Sequence, residues 1–281
     1  MIADYVNLYT YFQKPAPEAA AGTLQVYLPH IPDNYPRKRP AVLVMPGGGY
    51  YHVSSREAEP VALRFMAQGY CAFVLTYSCH PHRFPVALQE AAMAMAYIRE
   101  NAEKFQVDPR MIAAIGFSAG GHLCGCLGTM YDCPEVLQLN LPQSARPDAL
   151  GLCYPVAVSW GKTHEGSFRI LAGEDAALRQ RLSLDKLVRS DMPPVYLWHT
   201  RNDEVVPVRN SLVLAMALEE AGVDLAMHIY PYGPHGLSTA DELVYPAGKL
   251  PKFSEDIPNW ISEMLRFFRE KGLQIHDVPR Q

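Results

Sequence analysis

Short apolar runs recur along the middle of the chain, each bounded by Gly, Pro or polar residues: 41–45 (AVLVM), 71–77 (CAFVLTY), 111–116 (MIAAIG), 149–153 (ALGLC), 195–199 (VYLWH) and 225–230 (LAMHIY). Runs without polar alternation fit strands buried on both faces, and such strands belong to parallel sheets. Between them lie stretches with apolar residues at helical spacing, at 57–68, 86–104, 119–130 and 209–221, with 255–270 closing the chain. Strand and helix alternate. That pattern predicts an α/β fold with a mostly parallel central sheet covered by helices on both faces. Two early segments, VNLYTYF and TLQVYLP, alternate polar and apolar residues and read as an antiparallel edge. The run 156–190 interrupts the pattern with Trp160, His164, Gly166, Gly173 and Arg/Asp-rich helical sequence, and reads as a small cap-like insertion. Residues 1–281 are expected to form a single domain carrying it, because α/β folds of about 250 residues are often built round one sheet.

Composition narrows the function classes. Hydrophobic residues make up 49% and charged residues 19%, enough to bury a sizeable core. A net charge of −4 and the lack of a basic helical stripe argue against a nucleic-acid partner. The N-terminal MIADYVNLYTYFQ has no positive n-region, apolar h-region or small-residue cleavage site, and no apolar run could span a bilayer. The expectation is a cytoplasmic protein without a membrane partner. Cysteines at 71, 79, 124, 126, 133 and 153 form no Cys-x-x-Cys pair and read as buried free thiols. Cys79, His80 and His82 lack a fourth ligand, so neither a metal nor another cofactor is expected.

The chemistry gathers in loops that follow the apolar runs. Gly116-Phe117-Ser118-Ala119-Gly120 is a G-x-S-x-G match between a predicted strand and a predicted helix, the setting in which a serine projects as a nucleophile. Pro46-Gly47-Gly48-Gly49-Tyr50 follows the strand AVLVM, and its glycines let backbone N–H groups approach a substrate oxygen. The N–H of Gly48 or Gly49 with that of Ala119 would make a two-donor oxyanion hole. A serine hydroxyl needs a base, and the base an orienting acid. Asp203 lies in the loop after VYLWH, with Glu204 beside it as the alternative, and His235 lies in a Gly-flanked loop after the last strand. Of the other histidines, His199 and His228 fall inside strands, His122 packs on the elbow helix, and His30 and His276 read as loop or tail residues. Tyr50, Tyr51, His52, Trp160 and His164 are candidate substrate-pocket residues, since aromatic faces stack on sugars.

The motifs PGGGY, GFSAGGHL, THEGSFRILAGE, WHTRNDEVVPVRNS and IYPYGPHGL together resemble the α/β-hydrolases known as acetyl-xylan or feruloyl esterases, over roughly residues 20–270. The resemblance implies the α/β-hydrolase fold, with Ser118, Asp203 and His235 as nucleophile, acid and base and Gly48 and Gly49 as oxyanion glycines. Pro46 stands where many related lipases carry His, which separates the chain from the hormone-sensitive-lipase branch. The implied activity is hydrolysis of a short acyl ester, acetyl foremost, on a small-molecule or oligosaccharide partner. Amide hydrolysis by the same residues and a non-catalytic binding module are the alternatives.

Overall fold

A computed structural model describes residues 2–30 and 37–277. Among the described residues, nine strands form the sheet: β1 (Ile2–Asn7), β2 (Thr23–Leu28), β3 (Arg37–Met45), β4 (Cys71–Thr76), β5 (Val107–Phe117), β6 (Ala149–Cys153), β7 (Val195–Thr200), β8 (Leu225–Tyr230) and β9 (His276–Asp277). Their order is β1-β2-β4-β3-β5-β6-β7-β8, with β9 pairing β3 at its start. β3 to β8 run parallel, and β1 and β2 form the antiparallel edge. Every apolar run read as a strand is one.

The helices are α1 (Leu8–Tyr11), α2 (Glu59–Met66), α3 (Val86–Glu100), α4 (Ala119–Met130), α5 (Pro134–Leu137), α6 (Glu165–Ala172), α7 (Ala176–Arg181), α8 (Leu184–Leu187), α9 (Arg209–Glu220) and α10 (Trp260–Glu270). Because β-strand side chains alternate, the sheet feeds two cores. Leu43, Met45, Phe73 and Leu75 point to one, against Met95 of α3, Leu123 of α4 and Leu214 of α9. Val42, Val44, Ala113 and Ile115 point to the other, against Phe65 of α2 and Trp260, Met264 and Phe268 of α10. The spacing 260, 264, 268 lays one stripe of α10 on the sheet, and each such side chain contributes about 1.5–3 kcal/mol by leaving water.

Boundaries depart from expectation in several places. VNLYTYF is not one strand: the Asn7 side chain accepts the N–H of Thr10 at 2.9 Å and starts a helical turn, which buries both Leu8 and Tyr9. The helix expected over 86–104 stops at Glu100, where Asn101 donates its side-chain amide to the Tyr97 carbonyl at 2.9 Å. The last helix begins at Trp260, after a 3₁₀ turn over Ile257–Asn259. Between β6 and β7, where a cap-like insertion was expected, lie α6, α7 and α8. Among the described residues, no helix is long and apolar enough to cross a membrane.

Candidate active site

All parallel strands end at one edge of the sheet, and the loops leaving β3, β5, β7 and β8 there carry Gly48, Ser118, Asp203 and His235. Ser118 sits between β5 and α4 at φ 53° and ψ −117°, a conformation that costs a non-glycine residue about 1–3 kcal/mol. Its surroundings enforce it. A Cβ on Gly116 would lie 2.1 Å from the Gly120 carbonyl oxygen, and one on Gly120 would lie 2.1 Å from that of Met45. The two motif glycines are therefore demanded by backbone packed against backbone.

Ser118 Oγ lies 2.8 Å from His235 Nε2, and His235 Nδ1 lies 2.6 Å from Asp203 Oδ2. Asp203 is buried, and its other oxygen accepts the N–H groups of Val205 at 2.9 Å and Val206 at 2.8 Å. Burial alone would raise its pKa, but the hydrogen bonds from His199 and His235 outweigh that and hold it below the usual carboxylate range. Glu204 is exposed, and the His235 imidazole pairs with Asp203 instead. The N–H groups of Gly48 and Gly49 donate to no group among the described residues, and that of Ala119 opens the first turn of α4. A Cβ on Gly48, at φ 124°, would lie 2.0 Å from the His52 carbonyl oxygen.

Gly48, Gly49, Ser118 and His235 face a cleft of about 440 Å³ lined also by Tyr51, His52, Arg56, His164, Ile170 and Val205. A BD-FAE family model matches residues 24–146 and a prolyl oligopeptidase family model matches residues 89–265. An acetyl ester-xyloside bifunctional hydrolase from Caldicellulosiruptor lactoaceticus is 36% identical at a TM-score of 0.77, with 90% of this chain and 89% of that one aligned. The chain belongs to the α/β-hydrolase superfamily, in the prolyl oligopeptidase family. Endo-1,4-beta-xylanase B of Butyrivibrio fibrisolvens is 38% identical over 73% of this chain and 33% of its own length. The acetylxylan esterase of Xylanibacter ruminicola is 28% identical over 83% of this chain and 47% of its own length. This α/β-hydrolase thus spans between a third and a half of those two relatives, and its motif resemblance to acetyl-xylan esterases is borne out.

The five expected pocket residues of the α/β-hydrolase fall in different places. Tyr51, 67% exposed, lines the cleft and stacks on His80, with ring centroids 5.8 Å apart. His52 and His164 line it too. Tyr50 does not: it is buried beneath the cleft, its hydroxyl 2.8 Å from His122 Nδ1. Trp160 does not either. It borders a second hollow with Arg179 and Lys186, under the Arg209 guanidinium, and donates its indole N–H to Asp185 at 3.1 Å. A Tyr in a glycine turn and a Trp in a cap look alike in sequence whether they face solvent or core.

His164 is the N-cap of α6, and its Nδ1 accepts the backbone N–H of Ser167, with Ser167 Oγ 2.9 Å away. The proton therefore sits on Nε2. Burial, with help from nearby His235, lowers its pKa and favours the neutral ring. Sequence reasoning missed His199, whose Nε2 is 3.3 Å from Asp203 Oδ2, and Glu57, a buried glutamate at the floor of the cleft. It also missed Tyr154, edge-on to His235 at 5.1 Å. His82 spends its nitrogens on the carbonyl oxygens of Cys79 and Glu18.

Proposed function

We propose that residues 1–281 act as one catalytic unit, with 156–190 as its cap, that hydrolyses short-chain acyl esters, acetyl above all, carried on a soluble saccharide. The observation that carries this reading is the unbroken line Asp203–His235–Ser118, at 2.6 and 2.8 Å, beside amides of Gly48 and Gly49 that donate to no group among the described residues. Ser118 Oγ attacks the acyl carbon while His235 Nε2 takes its proton, and Asp203 holds the imidazole in the tautomer that can do so. The negative charge moves to the carbonyl oxygen, where the N–H groups of Gly48 or Gly49 and of Ala119 receive it. Collapse breaks the C–O bond, and His235 returns the proton to the departing sugar oxygen. Water, deprotonated by the same imidazole, then cleaves the acyl-serine and restores the hydroxyl. His164, a neutral Nε2–H donor, with Tyr51 and His52, would hold the alcohol portion, and no cofactor enters.

The relatives named for acetyl esters and xylosides support a saccharide leaving group. The match to the prolyl oligopeptidase family supports a second reading, amide hydrolysis by the same three residues. Turnover of acetylated xylo-oligosaccharides, p-nitrophenyl acetate and a matched anilide decides between them. The esterase reading expects the first two to be cleaved and the anilide spared, and Ser118→Ala to lower kcat by roughly 10⁴–10⁶-fold. Preferential cleavage of the anilide would install the amidase reading, and near-wild-type turnover in Ser118→Ala would remove both.

A further inference from the structure

Glu57 is 3% exposed and pairs with no Lys, Arg or His among the described residues, although a carboxyl group is costly to bury. Both of its oxygens are nevertheless satisfied, each by a different loop. Oε2 accepts the N–H of Gly47 at 2.8 Å, the residue before the two glycines at the cleft. Oε1 accepts the hydroxyl of Tyr154 at 2.7 Å. That phenolic oxygen in turn accepts the N–H of Ser238 at 3.0 Å, three residues beyond His235, while the Tyr154 ring stands edge-on to the His235 imidazole. Ser238 is further pinned by its hydroxyl to the Arg56 carbonyl at 2.5 Å and by the Trp260 indole on its own carbonyl at 2.8 Å. Tyr154 and Ser238 hold positive φ angles of 38° and 53°, so both loops are kept in conformations that non-glycine residues avoid.

We propose that Glu57 is a positioning residue for the hydrolysis described above, and the inference rests on that reading. Through Gly47 it sets where the amides of Gly48 and Gly49 point, and through Tyr154 it sets the plane of the His235 ring. One side chain thereby keeps the oxyanion donors and the base in register with Ser118. Misplacing reacting groups by about 1 Å costs on the order of 10²-fold in rate, so small shifts in this link register in turnover.

The conservative variant separates positioning from folding. Glu57→Gln keeps one acceptor for Gly47 but sets an amide donor against the Tyr154 hydroxyl. We expect kcat on p-nitrophenyl acetate to fall about 10–100-fold with KM within about threefold, thermal unfolding confirming a folded protein. Tyr154→Phe breaks the same path, so it should lose a similar factor, and the double variant should be no slower than the slower single one. Glu57→Gln turnover within twofold of wild type, a loss seen only in KM, or single losses that multiply in the double variant would each overturn the proposal. If Glu57→Gln does not fold, Tyr154→Phe decides alone, and turnover within twofold of wild type sinks the idea. A wild-type protein that cleaves no acyl ester is a different failure: it refutes the hydrolytic reading itself, and the positioning role falls with it.

Discussion

Asp203 and Glu204 are adjacent carboxylates, yet only Asp203 is buried and within hydrogen-bond distance of His235. Besides His235, the N–H groups of Val205 and Val206 donate to it, and the Nε2 of His199, bonded to the Val206 carbonyl at 2.8 Å, lies 3.3 Å from it. Amidation of that residue replaces an acceptor with a donor and lets the imidazole take the wrong tautomer. Asp203→Asn is therefore expected to lower kcat/KM by about 10³–10⁴-fold, and Glu204→Gln by less than about twofold, in the same ester assay. The reverse ranking would move the acid role to Glu204. That Asp203 and His235 would meet was legible in the sequence, because both loops follow apolar runs that end at one edge of the sheet. His199 was not, since a histidine inside a strand reads the same whether it packs or props up a neighbour's acid.

Among the elements, the turn from β5 into α4 was the most legible, because apolar run, glycines and helical spacing all meet at residues 116–130. The helix expected over 119–130 is found at Ala119–Met130. The glycines of this helix are not equivalent. A Cβ on Gly120 would strike the carbonyl oxygens of Met45 and Pro46 at 2.1 and 2.3 Å, which are backbone atoms of β3 and the loop after it. A Cβ on Gly125 would first meet the Leu184 side chain, at 2.5 Å, rather than backbone. Gly120→Ala should cost about 3 kcal/mol or more in urea unfolding or prevent folding, whereas Gly125→Ala should cost less, helped by alanine's propensity of about 1 kcal/mol in a helix. Equal losses would mean that the elbow tolerates a shift of β3. Boundaries were less legible where a polar side chain overrides periodicity, as Asn7 and Asn101 do by bonding the backbone and changing its course.

Across the whole molecule, the parallel sheet and its loop edge could be read from apolar runs alone, but the buried polar ties between distant segments could not. Glu57 reaches Tyr154 across 97 residues and His122 reaches Leu182 across 60, and no periodicity announces such a pair. His122 is the pin of the assembly: on α4, it meets the hydroxyl of Tyr50 in the glycine loop and donates to the Leu182 carbonyl in the cap at 2.7 Å. Burial lowers its pKa from the ordinary 6.5 to about 4. The unfolded chain therefore binds this proton between those values while the folded protein refuses it, and stability must fall as pH drops through that window. The loss approaches about 3 kcal/mol near pH 4, at 1.36 kcal/mol per pH unit. Melting temperatures measured from pH 7 to 4 should fall, and the slope should be shallower in His122→Asn. A variant slope equal to that of wild type would assign the acid sensitivity to other groups.

In the proposed hydrolysis Ser118, activated by His235 and Asp203, is the nucleophile. Incubation with a fluorophosphonate followed by peptide mapping in a mass spectrometer addresses it directly. One adduct is expected, on the peptide containing Ser118, formed far more slowly in His235→Ala and absent in Ser118→Ala. An adduct on another residue, or ester turnover that persists while Ser118 remains unlabelled, would contradict it.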